Sequence, residues 1–147
     1  MDTKHTALNL VTKGMNMVHR AALAASGGRL GRTVFGMPAV QLHTIGRKSG
    51  QRRSVMLTTP IREADRLVVI ASKGGDDRHP EWYLNVVANP EVEVTEGGVT
   101  RPMRARTATP EERAELWPQV VAAYKGYAGY QRSTDREIPV VICEPRA

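Results

Sequence analysis

The sequence predicts an α+β fold that is mainly antiparallel β, a sheet of about six strands closed into a small barrel and broken by two short helices. Alternating apolar and polar runs recur at hairpin spacing, and a Gly97-Gly98 pair sits at the centre of one such hairpin. Most strands lack the intervening helix that a parallel, doubly wound sheet needs. With 147 residues the chain can fill one core, and residues 1–147 are read as a single domain.

Leu8, Val11, Met15, Val18 and Ala22 recur at helical steps, which predicts an N-terminal helix within residues 1–26, ended by Gly27-Gly28. Lys13, His19 and Arg20 interrupt its apolar run, so neither a signal peptide nor a membrane span is expected and the protein is placed in the cytoplasm. The helix either packs on its own domain or turns its basic face to another surface, as a cover over a binding site or a peripheral contact with the inner face of the cell membrane.

A loop then runs to Pro38. Val40 to Ile45 alternates like a half-buried strand, Ser54 to Thr59 gives a second, and Arg66 to Ser72 a third whose unbroken apolar run predicts cover on both faces. Pro80 is placed to open a helix through Trp82, Leu84, Val86 and Ala88, closed by Asn89-Pro90. Glu91 to Thr95 and Thr100 to Thr107 flank the Gly-Gly turn. Thr109-Pro110-Glu111-Glu112 reads as a helix start, with a capping hydroxyl, a proline in the first turn and carboxylates at the positive end of the dipole. That helix should run through Trp117 towards Tyr124, and Ile138 to Cys143 is a final buried strand.

A net charge of +6 calls for an anionic partner: nucleic acid, a membrane surface or a polyanionic small molecule. The one cysteine, Cys143, lies in an apolar run, so it forms no intrachain disulfide and reads as a buried thiol. His5, His19, His43 and His79 show no ligand spacing, and no metal site is expected. The sequence holds no P-loop, no dinucleotide-binding glycine pattern and no nucleophile elbow.

Gly46 to Arg53 concentrates four cations and two glycines in eight residues, either a phosphate grip or a solvated basic turn. Ser72-Lys73-Gly74-Gly75 leaves a buried strand and reads either as a plain turn or as a set of amides open to an anion or carbonyl. Tyr124, Tyr127 and Tyr130 stand three apart, which groups their rings on a helical segment as a ligand wall or a core stripe. Gly126 and Gly129 within that segment each cost about 1 kcal/mol in a helix, which suits scaffolding poorly.

The motifs Thr44-Ile45-Gly46-Arg47-Lys48-Ser49-Gly50-Gln51-x-Arg53, Ala71-Ser72-Lys73-Gly74-Gly75, Pro80-x-Trp82-Tyr83-Leu84-Asn85, Ala88-Asn89-Pro90, Tyr124-x-x-Tyr127-x-x-Tyr130-Gln131 and Thr134-Asp135-Arg136-x-Ile138-Pro139 occur in this order. Together they resemble the deazaflavin-dependent nitroreductase family of actinobacteria, over nearly everything from Val40 to Pro145. The resemblance implies a split β-barrel, related to the FMN-binding split barrels, and coenzyme F420, an 8-hydroxy-5-deazaflavin with a phosphodiester and an oligoglutamate tail. It implies that Arg47, Lys48, Ser49, Gly50 and Arg53 hold the phosphate and the start of the tail. Met56, Thr58, Ala71, Ser72, Lys73, Gly74, Pro80, Trp82, Tyr83 and Asn85 would complete the cofactor site. Tyr124, Tyr127 and Tyr130 would line the acceptor side, with Ser72 orienting the acceptor or supplying a proton.

The implied reaction is hydride transfer from the reduced deazaflavin to a small-molecule electron acceptor: an enone, an unsaturated lactone, a quinone or a nitroaromatic. Thr58 stands where a nitroimidazole-activating member carries tyrosine, and Lys125-Gly126 replaces its proline-containing turn, so the departures fall on the acceptor side. An FMN-binding split-barrel oxidoreductase is the alternative, separable by titrating both cofactors against Trp82 fluorescence. A nucleic-acid-binding barrel would need aromatic stacking platforms, and Val40 to Ser72 contains no aromatic residue, so no nucleic-acid partner is expected. Nothing in the sequence sets an oligomeric state.

Overall fold

The computed structural model describes residues 33–146, and the helix expected over residues 1–26 lies outside them. The strands are β1 (Thr33–Val34), β2 (Met37–Ile45), β3 (Arg52–Thr58), β4 (Ile61–Arg62), β5 (Leu67–Ile70), β6 (Glu91–Glu96), β7 (Val99–Thr107) and β8 (Val140–Pro145). The helices are α1 (Glu81–Ala88), α2 (Pro110–Ala123) and α3 (Gly126–Arg132), with a 3-10 turn at Lys73–Gly75. Every pairing is antiparallel, in the order β1-β2-β6-β7-β8-β5-β4 with β3 also on β2.

The expected strands are all present, and so are the helices expected from Pro80 and from Thr109. What the alternation missed are β1 and β4, which span two residues each and are too short to show a period. The stretch expected as loop up to Pro38 therefore holds a small hairpin, with Phe35 and Gly36 at φ 53° and 78° in its turn. The β6–β7 turn has Gly97 and Gly98 at φ 58° and 81°, as a two-residue hairpin with both central residues at positive φ requires.

The sheet curls into a half-barrel whose two ends, β3 and β4, are consecutive in sequence. Thr59 ties them: its N–H donates to Pro38 O at 2.9 Å, and its hydroxyl is shared between Ile61 O at 2.9 Å and Val68 O at 2.7 Å. Side-chain alternation then makes two cores. Val40, Leu42, Leu67, Val69, Val92, Val94, Val141 and Cys143 fill the inner face. Val68, Ile70, Val140 and Ile142 point the other way, under Leu116 and Val120 of α2 and Tyr127 of α3. This is why β5 and β8 read as unbroken apolar runs. Cys143 is 0% exposed, and burial pushes its thiol up to about 12, so it is a packing residue.

A capping box starts α2: Thr109 Oγ1 accepts from Glu112 N at 3.2 Å, and Glu112 Oε1 accepts from Thr109 N at 2.9 Å. Glu112 also receives both outer nitrogens of Arg106 at 2.7 and 2.9 Å, and this pairing, ahead of the Thr109 N–H, lowers its carboxyl to about 2. At the other end of α2 the chain breaks earlier than a continuous tyrosine helix would allow. Tyr124 is extended at φ −155°, and a side chain at Gly126 would run into its ring. The three tyrosines thus come from a helix end and a second helix.

Candidate active site

The register brings the end of β2, the end of β5 and the start of β6 to one end of the barrel. There the Gly46–Gln51 loop closes on itself, with Gly46 N donating to Gln51 O and Gly50 N to Gly46 O, each at 2.8 Å. Gly50 sits at φ 71°, and Ser49 Oγ accepts from Gln51 N at 3.2 Å. The loop docks onto α1 through one buried amide. Asn85 Oδ1 accepts from Arg47 N at 3.1 Å and from Arg47 Nη1 at 2.9 Å, while its Nδ2 donates to Thr44 Oγ1 at 3.3 Å. Arg47 Nη2 also meets Glu81 Oε2 at 2.8 Å. Lys48 and Lys73 both act on Glu81 electrostatically, so the loop and the 3-10 turn place their cations around the first turn of α1.

The turn after β5 is an amide nest. Ser72 is right-handed at φ −78°, ψ −36°, whereas Lys73 and Gly74 are left-handed at φ 46° and 63°. Successive right- and left-handed residues point consecutive N–H groups into one concavity. Among the described residues the Ser72, Lys73 and Gly74 amides donate to no backbone carbonyl, and Ser72 makes no side-chain capping bond. A non-glycine residue held left-handed costs about 1–2 kcal/mol, so something must hold Lys73 there. Burial is the main cause that lowers the Lys73 amine below its usual range.

Arg136 supplies that hold. Its guanidinium donates from Nε to Asp76 O at 2.8 Å, from Nη2 to Ala71 O at 3.2 Å and Ser72 O at 3.0 Å, and from Nη1 to His79 Nδ1 at 3.1 Å. With Nδ1 accepting, the neutral His79 carries its proton on Nε2, and burial with the Arg136 charge lowers its pKa. Gln131 anchors the clamp from α3, donating to Arg136 O at 2.8 Å and accepting from Ile138 N at 2.9 Å. The sequence motif around Arg136 gave no role to this residue, because its partners lie about 60 positions upstream and are backbone carbonyls. A cation embedded in a polar-to-apolar strand entry was the only signal.

The tyrosines form a second group on the outer core. Tyr124 lies 5.3 Å from Tyr127 and 6.3 Å from Tyr130 between ring centroids, and Phe35 stacks on Tyr124 at 5.1 Å. Tyr127 is buried, its hydroxyl engaged with Thr58 Oγ1 at 3.0 Å and with Met37 Sδ, and burial raises its pKa. Tyr124 and Tyr130 are half-buried, and burial, followed by the Tyr124 hydroxyl, pushes Tyr130 up to about 12. Gly75 joins the two regions: at φ 86°, its added Cβ would lie 3.0 Å from Tyr130 O and from Ser133 Cβ.

The expected site residues therefore divide. Lys48, Ser49, Gly50 and Arg53 are exposed on or beside the basic loop, and Ser72, Lys73 and Gly74 half-exposed in the nest. Ala71, Trp82 and Asn85 are buried beneath them, Pro80 caps α1, and the Tyr83 hydroxyl pairs with Thr107 Oγ1 at 2.8 Å. Met56 is 7% exposed on β3, and Thr58 belongs with Tyr127 rather than with the loop. A cavity of about 170 Å³ opens at the other barrel end, lined by Arg62, Leu67, Val94, Glu96, Arg101 and Met103, and includes none of the expected residues. Its one paired arginine, Arg62, is engaged by Glu96 at 2.9 Å, and its other walls are mostly apolar. We take the amides and cations, rather than this cavity, as the site, because they carry the polar groups a charged cofactor needs. Among the described residues no group of His, Cys, Asp and Glu side chains could hold a metal ion.

The curled antiparallel half-barrel is that of the split-barrel reductases. A solved structure of an F420-H2-dependent reductase is 47% identical, with a TM-score of 0.66 over 73% of this chain and 94% of that one. A second solved chain, a domain-swapped dimer, is 42% identical, with a TM-score of 0.68 over 87% of this chain and 96% of that one. An F420H(2)-dependent quinone reductase of Mycobacterium tuberculosis strain H37Rv is 39% identical over 134 residues, 88% of this chain and 89% of the relative. The sequence pattern of the F420H(2)-dependent quinone reductases matches residues 16–145. The chain belongs to that family, and it is a coenzyme F420-dependent oxidoreductase.

Proposed function

We propose that this chain reduces quinones, and enones or unsaturated lactones with the same polarised C=C–C=O unit, at the expense of reduced F420. The observation that carries the reading is the continuity of three features: cations at Arg47, Lys48 and Lys73, the open Ser72–Gly74 amides, and the phenols of Tyr124 and Tyr130. The residues fit a coenzyme with an anionic tail and a ring bearing carbonyl oxygens. Arg47 and Lys48, with Ser49, Gly50 and Arg53 beside them, would hold the phosphodiester and the first glutamates; the nest amides would hold a ring oxygen. When bound, reduced F420 supplies a hydride from its C5 carbon.

The remaining chemistry belongs to the chain. Amides fixed by Arg136 need no reorganisation when charge shifts on an oxygen they hold. Hydride addition to a quinone leaves a phenolate-type oxygen on the acceptor. Tyr130, with its pKa near 12, stays neutral and donates a hydrogen bond to such an oxygen. Ser72, at the mouth of the nest, is placed to orient the acceptor or pass it a proton. Thr58 takes up the Tyr127 hydroxyl, so Tyr127 supports the wall from behind. Nitroaromatics are the weaker acceptors in this reading, because Thr58 and Lys125-Gly126 depart from the nitroimidazole-activating pattern on the acceptor side.

The test is turnover of reduced F420 with menadione, cyclohexenone and a nitroimidazole, followed as recovery of the oxidised chromophore. Turnover is expected with the first two acceptors. No turnover with any of them, together with no binding of oxidised F420, contradicts the proposal.

A further inference from the structure

The cation cluster already contains an anion. Glu81 opens α1, reaches Arg47 Nη2 at 2.8 Å and still keeps 77% of its side-chain exposure. Arg47 does not depend on it for position, because Asn85 Oδ1 holds both the Arg47 backbone N–H and Nη1 from the buried side. The Glu81 carboxyl lies below the usual range, through its hydrogen bond from Arg47 first and the Arg47, Lys48 and Lys73 charges after it. It is therefore fully ionised at neutral pH. Exposed ion pairs of this kind contribute little to fold stability. What the pair does change is the number of Arg47 donors open to a ligand.

We infer that Glu81 is an internal competitor for the coenzyme's anionic tail, occupying the Arg47 donor that a tail phosphodiester or carboxylate takes and swinging out when the tail arrives. The inference rests on the reading that Arg47 and Lys48 receive that tail. Its chemistry is simple: a carboxylate on a short, solvent-exposed arm is exchanged for another oxyanion, and no group is transferred. The consequence is a looser grip and faster release. An enzyme that must discharge oxidised coenzyme and take up reduced coenzyme in each turnover gains from that, since affinity changes within one interface fall mostly on dissociation. Because the competition involves only the tail, the ring end of the coenzyme does not feel it.

Glu81→Gln tests this, since it keeps the side-chain shape and removes the charge. Oxidised F420 and the same deazaflavin lacking phosphodiester and glutamates are titrated against tryptophan fluorescence, at low and high salt. The variant is expected to bind F420 about fivefold more tightly at low salt, with slower dissociation and a smaller gain at high salt. Binding of the tail-less deazaflavin should stay within about twofold. Unchanged or weaker F420 binding overturns the inference, and so does an equal gain for both ligands. Arg47→Met is measured alongside: if it leaves F420 binding intact, the fault lies in the assignment of the tail site and not in the competition.

Discussion

The two halves of the site are built by opposite means. At the end proposed for the coenzyme the groups on offer are backbone amides and fixed cations, and their positions are set by hydrogen bonds to partners distant in sequence: Asn85 for Arg47, and Arg136 for the Ser72 turn. At the tyrosine end the working groups are rings, placed by packing on the outer core, and one of the hydroxyls is already used internally by Thr58. A site built from backbone and charge tolerates little change, because each bond has a defined direction. A site built from packed rings can be reshaped by swapping one side chain. The departures at Thr58 and Lys125-Gly126 fall on that second half. On the proposed assignment, one coenzyme can be kept while acceptors vary.

The comparison is broken most severely at the clamp. Arg136→Met removes the guanidinium donors from the Ala71, Ser72 and Asp76 carbonyls, of which Ser72 O keeps the Gly75 N–H, and charged hydrogen bonds are worth about 1.5–3 kcal/mol each. Coenzyme affinity should fall by about 100-fold, for F420 and the tail-less ring alike, with Arg136→Lys recovering only part. Equal loss of melting temperature in both variants, with the larger affinity loss in the first, separates positioning from stability.

Gly75→Ala strikes the joint between the halves. The left-handed φ costs about 1 kcal/mol or more, and a Cβ at 3.0 Å from Tyr130 O must displace α3. Both the coenzyme dissociation constant and the quinone KM should rise, by about tenfold. A change in only one of them would show that the halves are independent.

Smaller effects are expected within the tyrosine group. Tyr130→Phe should lower kcat with menadione by about tenfold and leave coenzyme affinity unchanged. The pKa of Tyr130 is raised to about 12, so its donor proton is lost only as pH rises towards that value. The quinone rate should accordingly be flat from about pH 6 to about pH 9 as far as this group is concerned. Tyr127→Phe removes the Thr58 hydrogen bond, should cost about 1 kcal/mol of stability by denaturant titration, and should leave turnover nearly unchanged.

Much of this was legible in the sequence, for physical reasons that differ between elements. Strand alternation, unbroken apolar runs and the Thr109-Pro110 helix start are local signals, and β2, β5, β6, β7, β8 and α2 follow them closely. The basic loop was visible as a cluster of cations and glycines. The break between Tyr124 and Tyr127 was not, because it depends on a ring folding back over Gly126. Nor could periodicity tell the buried Tyr127 from the half-buried Tyr130, because burial depends on which strand lies beneath. Arg136 was hidden for the same reason, since its partners are carbonyls of a distant turn. Glu81 drew no notice in the sequence, because what marks it is its contact with Arg47 on the β2–β3 loop.

The most direct test of the account is a crystal structure of the protein with oxidised F420. The phosphodiester and first glutamate should lie against Arg47 and Lys48, with Glu81 turned out to solvent. A ring oxygen should sit within hydrogen-bond distance of the Ser72, Lys73 and Gly74 amides. A coenzyme bound instead in the cavity between Arg62 and Met103, with the nest left to water, would contradict it.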